Sequence, residues 1–475
     1  MLFNERCELL RRHDLPHHQY YPQEGWVEHD AVEIYNNMVM AIRQITHDID
    51  KSQYTFSLAI TNQRETVVVW EKSTGKPIAN AIVWQDTRGA GICHQLKQQG
   101  LQELVMSKSG LMIDPNFSAS GVKWILDNIE GARDAATKGN LLMGTIETWL
   151  IWCLTGGKRF VTDTTNASRT MLFNIHTMTW DDDLLKLFDI PRSMMADVMP
   201  CDEVFGQTTV EGIFDSPIPI AGVLGDSHGA LVGQMCFKEG EGKVTYGTGS
   251  SVMVNIGETP LPAPTGLVTS VGFSTMGRHF YGYEGNIYST GATLKWISDQ
   301  LKLVRHPSEM ETEALTVKDN GGVYIIPAFA GLGAPWWNPD VKAGIVGMTF
   351  ATTRAHFLRA ALESIAYQIK DLIDVMEKAI DGHLKEICAD GGPTKNKFLM
   401  QFQADLLNTP IVCTEVEDAS ALGAVIMNGF ARKIWTDFND VTHYRNVTHI
   451  FAPIPHEGID ALYAGWRNAV MQLTK

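Results

Sequence analysis

Arg64 and Glu65 adjoin one another in SLAITNQRETVVVW, between two apolar runs that read as strands. A guanidinium presents a rigid fork of donors and a carboxylate presents acceptors, so the pair suits vicinal hydroxyls, each of which both gives and takes a hydrogen bond. A surface ion pair is the plainer reading of the same two residues. Trp84, in AIVWQDTRG, offers either an apolar wall for a small ligand or a place in the core. Asp226 stands in IPIAGVLGDSHGALVGQM, where a buried strand over 220–224 gives way to a helix that begins just after the aspartate. An aspartate there, with an ordinary pKa of about 3.9, can take the proton that a hydroxyl loses as it attacks a phosphoryl group. It can equally serve as a helix N-cap, which needs no ligand.

Two glycine turns add a different chemistry. Gly247, Thr248 and Gly249 in KVTYGTGSS, and Gly391 and Gly392 in LKEICADGGPTKNKFLMQFQADLL, can bring backbone N–H groups close to an anion, and phosphate is the usual one. Each turn taken singly is also compatible with a plain tight turn.

The elements that must hold these residues are legible around them. Several β-type runs end in such turns and open into helical patterns, the way mixed α/β domains build ligand sites at strand ends. A strand runs to Asp390, and Phe398, Leu399, Phe402 and Leu406 mark one face of the helix that follows. Leu358, Leu362, Ile365, Ile369, Leu372 and Met376 trace a long amphipathic helix with a core role. Between HGALVGQMCF and VTYGTGSSVMVNIG the stretch KEGEGK marks a junction near 237–243, so the chain is expected to divide into domains over 1–236 and 237–475. No short-period repeat or low-complexity tract interrupts either half.

Composition narrows the partners. The 475 residues are 44% hydrophobic and 20% charged, a globular balance with room for two domains. A net charge of −15 repels nucleic acid and anionic lipid, so neither a nucleic-acid nor a membrane partner is expected. Seven cysteines lie scattered with no C-x-x-C pair, which fits reduced thiols and a cytoplasmic location. MLFNERCELLRRHD carries charges where a signal peptide needs an apolar run, and no segment approaches the roughly 18 apolar residues of a membrane span.

Together these residues resemble the glycerol kinase branch of the FGGY carbohydrate kinases. The resemblance runs in order through GWVEHD (25–30), ITNQRET (60–66), AIVWQDTR (81–88), KWILDN (123–128), TDTTNASRTMLFNIHT (162–177), YGTG (246–249), NGGVYIIPAFAGLGAPWW (320–337), ALESIAYQ (361–368), DGGPTKNKFLMQFQADLL (390–407) and ALGA (421–424). It implies an actin-like ATPase fold, with two ribonuclease-H-like α/β domains flanking a catalytic cleft that closes on its ligands. It further implies transfer of the γ-phosphate of ATP, with Mg²⁺ as the accompanying ion, to a primary hydroxyl of glycerol or a related small polyol. Carried over by position, Asp226 is the general base, and Arg64, Glu65 and Trp84 line the polyol pocket. Thr248, Gly249, Gly291, Gly392 and Asn396 fall where the family holds the nucleotide, as does Lys295, where a glutamine is frequent. A dimeric or tetrameric homo-oligomer is the family expectation.

Three departures refine that picture. Family members open with a strand and an Asp-x-Gly-Thr-Thr turn that contacts ATP phosphates, whereas this chain opens with MLFNERCELL. The absent strand would be central, so its neighbours are expected to show unpaired backbone groups and an opened core. A start assigned late accounts for this; the alternative is a catalytically impaired polyol-binding protein. Asn116, Ser227 and Ser251 replace the family's usual tyrosine, glutamine and phenylalanine at contact positions. The pocket is expected to be roomier and more polar, and a four- or five-carbon polyol is expected to serve at least as well as glycerol, with a kinase for a longer polyol or a ketose as the alternative. Finally, EGIFDSPIP stands in place of a Gly-Gly-Thr-Arg loop, so sugar bisphosphate inhibition through that loop is not expected.

Overall fold

The run IPIAGVLG is apolar on both of its faces, which suits a strand covered on both sides. In the computed structural model, which describes every residue of the chain apart from 334, 339, 417, 456 and 475, it forms the strand Ile218–Gly225. That strand lies between Val204–Thr208, antiparallel to it, and Leu58–Asn62, parallel to it, with Gly225 opposite Asn62. Parallel pairing brings both C-terminal ends to one edge of the sheet, so the residues that follow Asn62 and Gly225 meet there. Those residues include Arg64 and Asp226.

Among the described residues no strand pairs with the other side of Leu58–Asn62. Leu2–Phe3 pairs only with Leu9–Arg11, in a separate hairpin. Phe3, Cys7 and Ala59 pack, partly buried, against a buried cluster that contains Leu224, Leu231, Cys388 and Ile426.

A five-stranded sheet also belongs to the first half of the chain; its best-covered strands, Val67–Glu71 and Leu141–Thr145, are antiparallel. The second half builds a seven-stranded sheet from Val268–Thr275, Arg278–Ile287, Ser250–Asn255, Glu241–Tyr246, Glu386–Gly391, Ile411–Thr414 and Val447–Phe451, in that spatial order. Its first four strands are antiparallel, and Glu241–Tyr246, Glu386–Gly391 and Ile411–Thr414 run parallel. The mixed α/β class read from the sequence is therefore the class observed.

The amphipathic stripe from Leu358 to Met376 lies on one helix, Arg354–Ile380, and all six of its apolar residues are buried. Thr353 and His356 close a reciprocal cap at its start. Each fully buried Leu or Ile contributes roughly 1.5–3 kcal/mol, so this stripe anchors the larger core rather than any chemistry. The helix Asp226–Gly233 packs on Ala419–Ala431, and Leu231 and Val232 join a cluster that also takes Met253 and Cys388 from the seven-stranded sheet. The Asp226 helix is thus bedded against strands of both halves. Among the described residues no helix is long and apolar enough to cross a membrane.

Candidate active site

The strand Ile218–Gly225 ends in a residue with extended backbone, and the helix starts at Asp226 itself. Gly225 holds the cap position and Asp226 is the first helical residue, so the N-cap reading of Asp226 is corrected. In that first turn the carboxylate is favoured by the helix dipole, and Oδ1 accepts a hydrogen bond from the Ser227 backbone N–H at 2.7 Å. Gly225 has a steric reason to be glycine. A Cβ there would lie 2.5 Å from Arg64 Cγ, so the bare backbone lets the Arg64 stem cross the strand end.

Arg64 and Glu65 are both buried, which rules out the surface ion pair. Nor is their main contact with each other, at 3.9 Å. Arg64 reaches to Glu284 on the strand Arg278–Ile287, with Nη1 donating to Oε2 at 3.0 Å and Nη2 to Oε1 at 2.8 Å. Its Nε lies 3.0 Å from Asp226 Oδ1, an ion pair without hydrogen-bond alignment. Glu65, whose φ of 62° is unusual for a side chain of its size, accepts from Arg169 Nε at 2.6 Å. Arg169 Nη1 in turn sits 2.8 Å from Glu284 Oε2. Two arginines and three carboxylates therefore form one network, and only Asp226, with its side chain 45% exposed, opens to solvent.

Burial and pairing pull on this network in opposite directions. Burial opposes the charge on Glu284, but Arg169 and Arg64 outweigh it and hold the carboxyl well below the usual carboxylate range. Burial also opposes the charge on Arg64, and Glu284, Glu65 and Asp226 more than offset it. At Glu65 burial prevails over Arg64 and Arg169, and its carboxyl is raised. His228, on the Asp226 helix, is held neutral by burial and by Arg64, with Nε2 3.1 Å from Ser270 Oγ.

The other residues expected at the acceptor lie on neighbouring segments. The Trp84 backbone N–H contacts Thr66 Oγ1, next to Glu65, and its ring is exposed. Ser118 Oγ donates to the Glu65 carbonyl, which seats the half-buried Asn116 near the same turn. Ser227 follows Asp226 directly. On the sheet, Ser251 Oγ accepts from Lys243 Nζ at 3.1 Å, and Thr245 Oγ1 from the same ammonium at 3.3 Å. Burial pushes the Lys243 amine below the ordinary lysine range, against the pull of Asp390 and Glu284. Arg169, Lys243 and Glu284 carried no signal in the sequence reading, because their partners become neighbours only through folding.

The glycine turns meet in a cavity of about 610 Å³. Thr248, Gly291, Lys295 and Gly392 line it, together with Tyr246, Trp296 and Asp299. Gly391, at φ 98°, lets its strand pass Tyr246 so closely that a Cβ would fall 2.0 Å from the Tyr246 carbonyl oxygen. Gly249 and Asn396 are not on the cavity wall. Gly249 turns its carbonyl to the Gly247 N–H, and Asn396 caps the helix Lys397–Leu407 through its side-chain oxygen and the Leu399 N–H at 2.9 Å. Gln234, just past the Asp226 helix, donates to Asp390 Oδ2 at 2.6 Å and so ties that helix to the strand leading into the cavity. A neighbouring cavity of about 730 Å³, beyond Asp299, contains none of the candidate residues. Among the described residues no group of three or more His, Cys, Asp or Glu side chains is arranged to hold a metal ion.

Two sheet systems joined by a buried arginine and carboxylate network, with a glycine-walled cavity on the second, have the build of a small-molecule phosphotransferase. The chain belongs to the FGGY family of carbohydrate kinases: the family's N-terminal domain matches residues 1–233 and its C-terminal domain residues 242–432. It is 46% identical over 472 residues to a glycerol kinase of Geobacillus sp. (strain WCH70), spanning 99% of this chain and 95% of that relative. It is 45% identical over 473 residues to the glycerol kinase of Bacillus subtilis (strain 168), with the same coverage of both chains. Among solved structures, Plasmodium falciparum glycerol kinase with ADP superposes with a TM-score of 0.93 at 34% identity, covering 99% of this chain and 95% of that one. The xylulose kinase of Lactobacillus acidophilus shares the fold, with a TM-score of 0.88 at 20% identity, covering 99% and 95%.

Proposed function

We propose that this chain transfers the γ-phosphoryl group of ATP to a primary hydroxyl of glycerol or a related small polyol. The observation that carries the reading is the placement of Asp226: a solvent-open carboxylate at a helix start, held against Arg64 at the edge of a network that is otherwise buried. Relatives at 45–46% identity over nearly the whole chain are glycerol kinases, which supports the same chemistry. Residues 1–236 contribute the base and the Arg64 turn, and residues 237–475 contribute the nucleotide cavity.

In this reading Arg64, Glu65 and Trp84 hold the acceptor, with Asn116, Ser227 and Ser251 around it. The nucleotide lies against Thr248, Gly291, Lys295 and Gly392; Gly249 and Asn396 shape that wall from behind. Phosphoryl transfer passes through a loose transition state, so the protein's task is alignment and charge placement rather than bond making. Asp226 accepts the acceptor's proton late, as the new P–O bond forms, and the fixed Arg64 keeps the carboxylate oriented toward the hydroxyl. The fork from Arg64 to Glu284 spans the cleft, and closure around it excludes water, the competing acceptor. Magnesium, which typically uses one or two carboxylates plus substrate phosphates, would find in Asp226 one solvent-open carboxylate and would neutralise phosphate charge there.

An ADP-release assay with glycerol and a panel of polyols, with identification of the phosphorylated product, tests this reading. ADP formed in step with a polyol phosphorylated at a primary carbon is the expected result. Failure of every polyol to stimulate ADP release above the background would overturn it.

A further inference from the structure

Resting on the kinase reading above, we propose that Asn286 and Ser251 form a second acceptor subsite, which binds a hydroxyl on a carbon beyond the third and makes an open-chain polyol of four or five carbons the preferred substrate class. The strands Ser250–Asn255 and Arg278–Ile287 pair with Ser251 opposite Asn286. Side chains alternate along a strand, so Asn286 faces the same side as Glu284, the residue that grips Arg64 and Arg169. Two residues of strand span about 7 Å, which sets Asn286 beyond the Arg64 turn by roughly the length of a short polyol.

Asn286 is exposed although Gly285 and Ile287 beside it are buried. Its amide has no hydrogen-bond partner among the described residues, so both a donor and an acceptor remain free to face the cleft. Ser251 is prepared differently. An ammonium only donates, so the bond from Lys243 Nζ occupies a lone pair of Ser251 Oγ and leaves the hydroxyl proton to be given outward. Lys243 is buried with no carboxylate within ion-pair distance among the described residues, and its hydrogen bonds there go to the Ser251 and Thr245 hydroxyls.

The facing wall is polar as well. Tyr288, exposed just past the end of the Asn286 strand, lies close enough to feel the Asp114 carboxylate, two residues from Asn116. Ser227 adds a short hydroxyl beside Asp226. The amide of Asn286 and the hydroxyls of Ser251 and Ser227 are polar, so an elongated acceptor that meets this wall must carry hydroxyls to compensate the groups it desolvates.

The test uses the full chain and its Asn286→Ala variant, with Ser251→Ala in parallel, and measures kcat/KM by ADP release for glycerol, erythritol and xylitol. The parent is expected to use at least one longer polyol as well as glycerol. Asn286→Ala is expected to lower the ratio of longer-polyol to glycerol kcat/KM roughly five- to tenfold, the worth of one neutral hydrogen bond. An exposed position lets the variant fold, which an unchanged melting temperature verifies. A parent that strongly favours glycerol, or an unchanged ratio in both variants, overturns the subsite while leaving the kinase reading intact. No ADP release with any polyol overturns the kinase reading and this inference together.

Discussion

Replacing Glu284 by glutamine probes the network that presents Asp226. Glu284 accepts both Nη groups of Arg64 and lies 2.8 Å from Arg169 Nη1, and it is almost completely buried. Glutamine keeps the shape but turns an NH₂ group toward a guanidinium, donor against donor, and leaves two buried cations with one carboxylate fewer. Breaking a buried pair by removing one partner costs about 3–5 kcal/mol, roughly a third to a half of a typical stability near 10 kcal/mol. Urea unfolding followed by tryptophan fluorescence should show that loss at pH 7, and acceptor kcat/KM should fall with it as Arg64 loses its anchor. The pH dependence has a defined sign. The Glu284 carboxyl is held below its ordinary value of about 4.5, so the folded state binds fewer protons than the unfolded one. Its stabilisation is complete above that value and is lost as the pH falls below it. The gap between parent and Glu284→Gln must therefore be full at pH 7 and narrow in acid. A variant as stable as its parent at pH 7, or a gap that does not shrink below about pH 4.5, would refute the reasoning.

Two further changes test neighbouring parts. Glu147 is buried, accepts the hydroxyls of Thr145, Thr148 and Thr162 on one oxygen, and leaves Oε2 without a partner; burial first, and Asp163 second, push its carboxyl up to about 7. A raised carboxyl favours the folded state while protonated, so stability should decline as the pH rises from about 4.5 to about 7, and Glu147→Gln should flatten that decline in urea unfolding across pH. Gly225→Ala places a Cβ 2.5 Å from Arg64 Cγ and must displace the guanidinium; acceptor kcat/KM should drop roughly 100-fold, as expected for a displacement of about 1 Å, while ATP binding, measured directly, should change little.

Local patterns made much of this molecule legible. The six-residue stripe from Leu358 to Met376 announced its helix because its period is set by neighbours three and four residues away. The junction at Asp226 was visible as an apolar run meeting a helical pattern, although the helix begins at the aspartate because Gly225 takes the extended cap position. The glycine turns also led to a real cavity, but Asn396 proved to be a helix cap, a role its position before KFLMQFQ already allowed. What could not be read were the long-range partners. Arg64 and Glu284 are 220 residues apart in sequence, and no periodicity connects them. The pairing of Ser251 with Asn286 is a matter of strand register, which the folded sheet fixes and the run of residues does not reveal.

The claim on which the account rests is that the carboxylate at position 226 takes the proton of the attacking hydroxyl. Single-turnover phosphorylation of glycerol, with ATP saturating and the fold checked by melting temperature, measures this in the parent and in Asp226→Asn. A loss of roughly 10²–10⁴-fold in the chemical step, with nucleotide affinity retained, is the predicted result. An Asp226→Asn enzyme that transfers phosphate as fast as its parent would contradict it.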